Sequence, residues 1–199
     1  LVAGGAGFIG SHLCKSLLGE NYKVICLDNF ITSDKKNIES FLSNPNFEFI
    51  EHDVIQPIQN SKFKTQNLDY IFHLASPASP NKKSAQSYIN HPIETLLVNS
   101  MGTYNLLEMV RQSGAKFLYS SSSEIYGDSE MPSQKEDYFG NVNPNGVRSV
   151  YDEGKRLLKL IKNTKSIDNL WEIPKGMVNR NESEINAAIR EFNEETNIK

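Results

Sequence analysis

A glycine-rich loop at the start of the chain constrains the fold more than any other feature of the sequence. Gly5, Gly7 and Gly10 have the spacing G-x-G-x-x-G, follow the apolar residues 1–3 and precede a run with helical spacing of apolar side chains. Between a strand and a helix, such glycines permit a tight turn and let backbone N–H groups approach a pyrophosphate at the helix N-terminus. The loop therefore predicts a dinucleotide-binding βαβ unit. The alternative is a glycine-rich turn that binds nothing.

Strand-like and helix-like segments alternate along the first three quarters of the sequence. The strand candidates are residues 1–3, 23–27, 47–50, 70–74 and 116–119. This alternation predicts an α/β fold with a doubly wound parallel Rossmann sheet. Because the first strand is short and the pattern changes after Lys155, we expect a sheet that is incomplete at both ends. We place a domain boundary near residue 160, between a dinucleotide-binding domain (1–160) and a C-terminal segment (161–199).

Charge and cysteine content exclude several classes of protein. The chain has 21 Lys and Arg against 24 Asp and Glu, so its net charge of −3 gives no electrostatic reason to expect nucleic acid or an anionic membrane as the main partner. Cys14 and Cys26 lie in apolar segments, which is typical of reduced, buried thiols rather than of a disulfide or zinc site. No apolar run reaches the roughly 18 residues of a membrane span. We therefore expect a cytoplasmic protein that binds a small molecule.

Asp28 narrows the dinucleotide prediction to one cofactor. It ends the second predicted strand, about twenty residues after the glycine loop. A carboxylate in this place accepts hydrogen bonds from the ribose hydroxyls of the adenosine and repels the 2′-phosphate of NADP. The sequence therefore predicts NAD.

Two reactive segments lie at the end of this region. Tyr151 and Lys155 form Y-x-x-x-K, a spacing that puts both side chains on one helical face. An ammonium there can lower the tyrosine pKa from its usual value of about 10, so that the tyrosinate removes a hydroxyl proton. Ser120–Ser123 and Glu124 follow a predicted strand, where sites form in α/β folds. The alternatives are an exposed Tyr/Lys pair and a polar turn.

Six segments carry a resemblance to a known family. They are LVAGGAGFIGSHL, LDNFITSDKKN, IFHLASPASP, NSMGTYNLLE, SSSSEIYGD and NPNGVRSVYDEGKR, and they occur in this order between residues 1 and about 156. They resemble the signatures of the UDP-glucuronate decarboxylases, which are extended short-chain dehydrogenases/reductases. PASP and YDEGKR distinguish this family from the related NAD-dependent epimerases and 4,6-dehydratases better than the glycine loop does. Those two activities are the alternatives within the same cofactor class.

The resemblance implies a set of site residues. The expected catalytic residues are Tyr151, Lys155, Ser122, which would assist the tyrosine, and Glu124, which would lie beside the sugar. The expected cofactor contacts are Gly4, Gly5, Gly7, Phe8, Ile9, Gly10, Asp28, Asn29, Asp53, Val54, Ala75, Asn99, Tyr151 and Lys155. Asn99 is also expected to support the active-site helix, and Ser33 stands where the family usually has Gly.

The resemblance also implies a reaction and a partner. In the family, NAD oxidises the C4 hydroxyl of the nucleotide sugar, the 4-keto sugar loses its carboxylate as CO₂, and the hydride returns to C4. A carboxyl group β to a ketone leaves through an enolate, whose charge the site can stabilise. The parent enzyme is expected to be a homodimer. Since the family continues for another domain after the Y-x-x-x-K helix, we expect little turnover from the chain as it stands.

The C-terminal segment carries a second, unrelated motif. It matches the box of the Nudix hydrolases, except that Asn197 replaces Gly. The matching residues are Gly176-x5-Glu182-x7-Arg190-Glu191-Phe192-x-Glu194-Glu195-x-Asn197-Ile198. On a helix Glu191, Glu194 and Glu195 share one face, and such carboxylates suit Mg²⁺ or Mn²⁺. This second resemblance implies a partial, metal-dependent pyrophosphohydrolase, against the alternative of a solvated acidic helix. Two partial enzymes in one chain also leave open a nonfunctional chimera.

Overall fold

The core of the molecule is one parallel β-sheet. The structure, a computed structural model, describes residues 1–58, 67–131, 133–135, 137–163 and 170–172. The strands are β1 (Val2–Ala3), β2 (Val24–Asp28), β3 (Phe47–Glu51), β4 (Tyr70–His73), β5 (Lys116–Tyr119) and β6 (Leu170–Glu172). All of them pair in parallel, in the order β3-β2-β1-β4-β5-β6. This confirms the predicted doubly wound α/β fold.

Helices cover the sheet and connect its strands. They are α1 (Phe8–Gly19), α2 (Pro92–Leu97), a π-helical turn (Val98–Gly102) that continues into α3 (Thr103–Ser113), and α4 (Ser149–Asn163). Short 3-10 helices occupy Lys35–Asn37, Glu39–Phe41 and Ser123–Tyr126. Pro92 begins α2, where its missing N–H costs no hydrogen bond. Gly114 ends α3 with φ of 72°, a left-handed conformation that glycine adopts without strain.

The strands bury side chains on both faces of the sheet, as parallel sheets do. In β1, Val2 packs into one hydrophobic cluster and the adjacent Ala3 packs into the other. The cluster around Val2 includes Cys14 from α1, whereas the cluster around Ala3 includes Leu106 from α3. Helices on opposite faces therefore shield the two sides of the strands. Both cysteines are buried and free, as predicted from their apolar surroundings.

Strand β6 has no counterpart among the predicted strands. Its backbone pairs with β5 in the register Phe117 with Leu170 and Tyr119 with Glu172. The sequence gives little warning of this strand, because three residues form no recognisable apolar period. The segment nevertheless pairs with the edge of β5, whose backbone N–H and C=O groups would otherwise lack strand partners on that side. Helix α4 likewise continues past residue 160 to Asn163, so the proposed domain boundary falls within a helix.

The strand order reverses at β1, which lies between β2 and β4. In open α/β sheets, ligands bind beyond the carboxyl ends of the strands at such a switch point. The glycine loop follows β1 directly and therefore lies at this position. Of the helices that the structure describes, none is long and apolar enough to cross a membrane.

Candidate active site

The glycine loop leaves no room for side chains. Gly4 has φ of +79°, and a Cβ built on it would lie 2.6 Å from the backbone nitrogen of Ala75. A Cβ on Gly10 would collide with the carbonyl oxygen of Gly4. Gly7 caps α1, whose first-turn N–H groups have no acceptors within the helix. The loop thus presents backbone and a helix N-terminus, which together suit a pyrophosphate.

Asp28 is tied into this loop by three hydrogen bonds. Its Oδ2 accepts from the backbone N–H of Ala6 at 2.9 Å. Its Oδ1 accepts from the N–H of Phe30 at 2.9 Å and from the hydroxyl of Ser33 at 2.7 Å. The side chain of Asn37 adds a bond to the carbonyl of Ala6 at 2.9 Å. The carboxylate is therefore fixed in place, and its bond to Ser33 was not foreseen.

A continuous cleft runs along the carboxyl edge of the sheet. One part is lined by Gly4, Gly7, Asp28, Asn29, Asp53, Val54 and Ala75. The adjoining part is lined by Gly4, Gly7, Phe8, Ile9, Gly10, Ser120, Ser121, Tyr151 and Lys155. Twelve of the fourteen expected cofactor contacts line one or both parts of the cleft, whereas Gly5 and Asn99 line neither. The cleft joins the glycine loop to the Y-x-x-x-K pair, since Gly4 and Gly7 line both of its parts.

Tyr151 and Lys155 both lie on α4 and face this cleft. Tyr151 is 7% exposed and Lys155 is 3% exposed, so the alternative of an exposed Tyr/Lys pair does not hold. The ammonium Nζ of Lys155 lies 5.7 Å from the centre of the Tyr151 ring. The ammonium donates a hydrogen bond to the backbone carbonyl of Ser120 at 2.8 Å. The serine run after β5 therefore anchors the lysine through its backbone.

Burial dominates the electrostatics of this pair. It raises the pKa of Tyr151, and a hydrogen bond with Ser122 acts in the opposite direction. It lowers the pKa of Lys155 to about 7. The direction for Tyr151 is opposite to the lowering that we expected from the lysine, because removal of the phenol from water disfavours the tyrosinate. The protein alone therefore keeps the tyrosine protonated at neutral pH.

Ser122, Glu124 and Asn99 lie around this pair rather than in the wall of the cleft. Ser122 accepts a hydrogen bond from the N–H of Glu124 and begins a 3-10 helix. The carboxylate of Glu124 forms an ion pair with Arg148. Asn99 is fully buried and packs against α4 at Gly154. A Cβ built on Gly154 would lie 3.2 Å from the Cβ of Asn99. Gly5 is also behind the wall, against the thiol of Cys26.

Two aromatic residues near the pair were not found from the sequence. Tyr88 stacks on Tyr151, with ring centres 4.7 Å apart and planes 15° from parallel. Tyr119 lies beneath Lys155, with its ring centre 4.6 Å from Nζ. Tyr88 is distant in sequence from α4, and no local pattern marks it. Tyr119 belongs to an apolar strand, where a tyrosine gives no signal beyond strand propensity.

The expected metal ligands Glu191, Glu194 and Glu195 lie outside the described residues. Within residues 1–163 and 170–172, apart from the short gaps already given, no cluster of His, Cys, Asp and Glu is arranged to hold a metal ion. The metal prediction therefore remains a prediction from the sequence.

Comparison with known families gives two matches. Residues 1–163 match the NAD dependent epimerase/dehydratase family, and residues 145–199 match the NUDIX domain. The two matches overlap along α4. Both resemblances seen in the sequence are thereby confirmed.

Individual relatives agree with the first match. UDP-glucuronic acid decarboxylase 1 of Danio rerio is 46% identical over 157 residues, which cover 79% of this chain and 35% of the relative. UDP-glucuronic acid decarboxylase 1 of Arabidopsis thaliana is 49% identical over 156 residues, which cover 78% of this chain and 33% of the relative. The chain thus spans about a third of the length of these relatives.

A solved structure shows the same fold. UDP-glucose 4-epimerase from Thermotoga maritima, determined with UDP-glucose, superposes with a TM-score of 0.67 at 27% identity. The superposition covers 84% of this chain and 51% of that enzyme.

Proposed function

The chain belongs to the NAD dependent epimerase/dehydratase family, and we propose that it forms the NAD-binding part of an enzyme that converts UDP-glucuronate to UDP-xylose. Residues 1–160 are the proposed NAD-binding domain, and the proposed location is the cytoplasm. The observation that carries the proposal is one cleft shared by the glycine loop and by the buried Tyr151 and Lys155. A hydride acceptor and a proton acceptor are thus brought to the same substrate.

The roles of individual residues follow from their contacts. The proposed cofactor contacts in the wall are Gly4, Gly7, Phe8, Ile9, Gly10, Asp28, Asn29, Asp53, Val54 and Ala75. Bound NAD supplies a hydride acceptor that later returns the hydride to the sugar. Tyr151 is the proposed base for the sugar hydroxyl, and the hydrogen bond with Ser122, which favours the tyrosinate against the effect of burial on the pKa, is its proposed assistance. Lys155 places a positive charge beside the phenol, held by the carbonyl of Ser120.

Glu124 and Asn99 have proposed roles beside this pair. Glu124 would lie near the sugar, where its partner Arg148 adds a cation suited to an acidic substrate. Asn99 supports α4 at Gly154, so that the tyrosine and the lysine keep their relative position.

The substrate is proposed from the relatives. The two curated relatives named above carry out decarboxylation according to their names, at 46% and 49% identity. The solved epimerase is less similar, at 27% identity. An NAD-dependent epimerase or 4,6-dehydratase, which would use the same cleft, is the alternative within the family.

NAD binding to the full chain is the first test, measured by isothermal titration calorimetry. For the reaction, residues 1–160 are joined to the part of the Arabidopsis thaliana relative that follows its matching helix, and CO₂ release from UDP-glucuronate is measured. Tyr151→Phe should slow release by about 100-fold or more and leave NAD binding intact, because only proton transfer is lost. Tyr22→Phe, at an exposed site outside the cleft, is the matched control.

The outcomes of this test are distinct. Unchanged CO₂ release by Tyr151→Phe would contradict the proposed base. Interconversion of UDP-glucose and UDP-galactose without CO₂ release from UDP-glucuronate would favour the epimerase. An absence of NAD binding to a folded chain would overturn the cofactor assignment, and with it the proposal.

A homodimer is part of the proposal. Ile93, Leu97, Met101 and Tyr104 are spaced by four, four and three residues along α2, the π-helical turn and α3. Their exposed fractions are 68%, 37%, 47% and 59%. This apolar stripe (Ile93, Leu97, Met101 and Tyr104) faces solvent in the single chain, and a second copy of the chain would bury it.

A second function is proposed for residues 161–199. The NUDIX match and the acidic motif favour a divalent-cation site of Glu191, Glu194 and Glu195, with Mg²⁺ or Mn²⁺ as the ion. The proposed chemistry is attack of water on a diphosphate. Titration of Mn²⁺ against the amide signals of residues 182–198 tests the site, with Glu194→Gln/Glu195→Gln as the control. Equal paramagnetic broadening in the control would show a solvated acidic surface and overturn this second proposal.

A further inference from the structure

Lys155 is a buried lysine with no carboxylate partner among the residues that the structure describes. Its side chain is 3% exposed, and its Nζ donates one hydrogen bond, to the carbonyl of Ser120. Among the described residues, no carboxylate forms an ion pair with it. A buried ammonium is costly unless the surroundings compensate for lost water. Burial lowers the pKa of Lys155 to about 7, so any group that attracts the ammonium increases the charged fraction of Lys155 at neutral pH.

The ring of Tyr119 supplies that compensation. Tyr119 is fully buried at the end of β5, and its ring centre lies 4.6 Å from Nζ of Lys155. The negative face of an aromatic ring attracts a cation at this distance, most strongly where water is excluded. The ring of Tyr151 is farther away, at 5.7 Å. Tyr119 is therefore the nearer aromatic contact of the ammonium.

A hydrogen-bond network fixes the ring of Tyr119. Its hydroxyl donates to Oδ1 of Asn99 at 2.8 Å. The amide of Asn99 in turn donates to the carbonyl of Thr95 at 2.8 Å and to the hydroxyl of Ser76 at 3.0 Å. These hydrogen bonds link α2 through Asn99 to Tyr119 and hold the ring under the lysine.

We propose that Tyr119 is a positioning residue, whose ring holds the ammonium of Lys155 at the cleft while Asn99 clamps the ring. The functional meaning of this contact rests on the proposed role of Lys155 beside the base Tyr151. The contact itself is a property of the folded chain and needs neither cofactor nor substrate.

The other titratable groups around Lys155 do not replace the ring. His73, on β4, packs edge-to-face on Tyr119 with ring centres 5.2 Å apart, and burial first and Lys155 second lower its pKa to about 3. It is neutral at pH 7 and adds no charge. On the helices packed against α4, Glu94 forms no ion pair with Lys155, and Glu124 is paired with Arg148.

The test is the titration of Lys155 in the full chain, followed by NMR of the lysine ¹³Cε signals and assigned with Lys155→Met. Tyr119→Leu removes the ring and should lower the titration midpoint by about one pH unit, the size of one desolvated cation–π contact. Tyr119→Phe keeps the ring and loses the bond to Asn99, so its midpoint should fall by much less than that of Tyr119→Leu.

Replacement of Tyr119 by pentafluorophenylalanine keeps the ring's shape but reverses the charge on its face, and it should lower the midpoint as Tyr119→Leu does. It also serves as the test if Tyr119→Leu fails to fold. An unchanged midpoint with the fluorinated ring, or an equal fall with Tyr119→Phe, would overturn the proposal. If the midpoints of the Lys155 titration are as expected but the chain does not bind NAD, only the proposed function is overturned.

Discussion

The ring of Tyr88 lies flat on the ring of Tyr151, with centres 4.7 Å apart and planes 15° from parallel. Tyr88 is 1% exposed, and its hydroxyl forms no hydrogen bond of good geometry among the described residues, although burial raises its pKa and the nearby Arg148 acts in the opposite direction. The stacked ring restricts the position of Tyr151, while the unpartnered hydroxyl costs stability. The ring of Tyr88 therefore stabilises the fold, whereas its hydroxyl destabilises it.

Substitutions of Tyr88 separate these two effects. Tyr88→Phe removes the unpartnered hydroxyl and should raise the free energy of unfolding by about 1 kcal/mol. Tyr88→Ala removes the ring and should lower it by about 3 kcal/mol, because a cavity remains beside Tyr151. Urea denaturation of both variants measures the change. A loss of stability in Tyr88→Phe would show that the hydroxyl is satisfied after all.

Asp28→Asn should reduce the preference for NAD over NADP. Loss of a charged acceptor should weaken NAD binding by about tenfold to a hundredfold, while NADP, no longer repelled, should lose less. Calorimetry with both cofactors measures the ratio. Asp34→Asn is the control, since Asp34 is an acid of the same loop that pairs with Lys36. An unchanged ratio in Asp28→Asn would rule out the ribose contact.

Ser33→Ala should strengthen NAD binding. A carboxylate has about four acceptor positions, and three of those of Asp28 are engaged by Ala6, Phe30 and Ser33. Removal of the Ser33 hydroxyl frees one of them for a ribose hydroxyl, which should lower Kd by about threefold to tenfold. Thr32→Val removes a neighbouring hydroxyl as a control. Weaker binding by Ser33→Ala would mean that the hydroxyl itself contacts the cofactor.

Lys155 should make stability depend on pH. Its pKa is about 7 in the folded chain against 10.5 for an ordinary lysine, so the unfolded chain binds more protons between these values. The free energy of unfolding should therefore rise with pH through this window, with a slope of up to about 1.4 kcal/mol per unit. Denaturation between pH 7 and pH 9, below the titration of the tyrosines, measures it.

Lys155→Met should flatten that slope, whereas Lys15→Met, at an exposed site, should leave it unchanged. An identical slope in the unmodified chain and in Lys155→Met would contradict the burial of a titrating ammonium.

Charged substitutions in the apolar stripe should separate the two copies of the proposed homodimer. Ile93→Glu or Met101→Glu places an unpaired charge where the second copy would exclude water, so the chain should sediment as a monomer in analytical ultracentrifugation. Phe139→Glu is the matched control, because Phe139 is 82% exposed but outside the stripe. A monomeric unmodified chain at micromolar concentration would refute the dimer.

Local patterns predicted the strands better than they predicted the site. The strand at residues 116–119 was placed with its observed bounds, and the others were correct to within one residue at each end, because buried parallel strands are apolar and bounded by turns. The glycine loop and Tyr151 could also be predicted from the sequence, since both belong to short motifs. The contact of Tyr88 with Tyr151 and the bond of Ser33 to Asp28 depend on tertiary packing or on one rotamer. No period or spacing in the sequence specifies either.

The glycine loop also has a consequence at the level of the gene. Every missense change of a glycine codon adds a Cβ, and at Gly10 a Cβ collides with the carbonyl oxygen of Gly4. At Gly4 it would meet the backbone of Ala75 and would strain a positive φ. Changes of the first or second nucleotide of these two codons are therefore disfavoured, whereas third-position changes are silent. Loss of either glycine in a lineage would indicate that the backbone path of the loop is no longer under selection there.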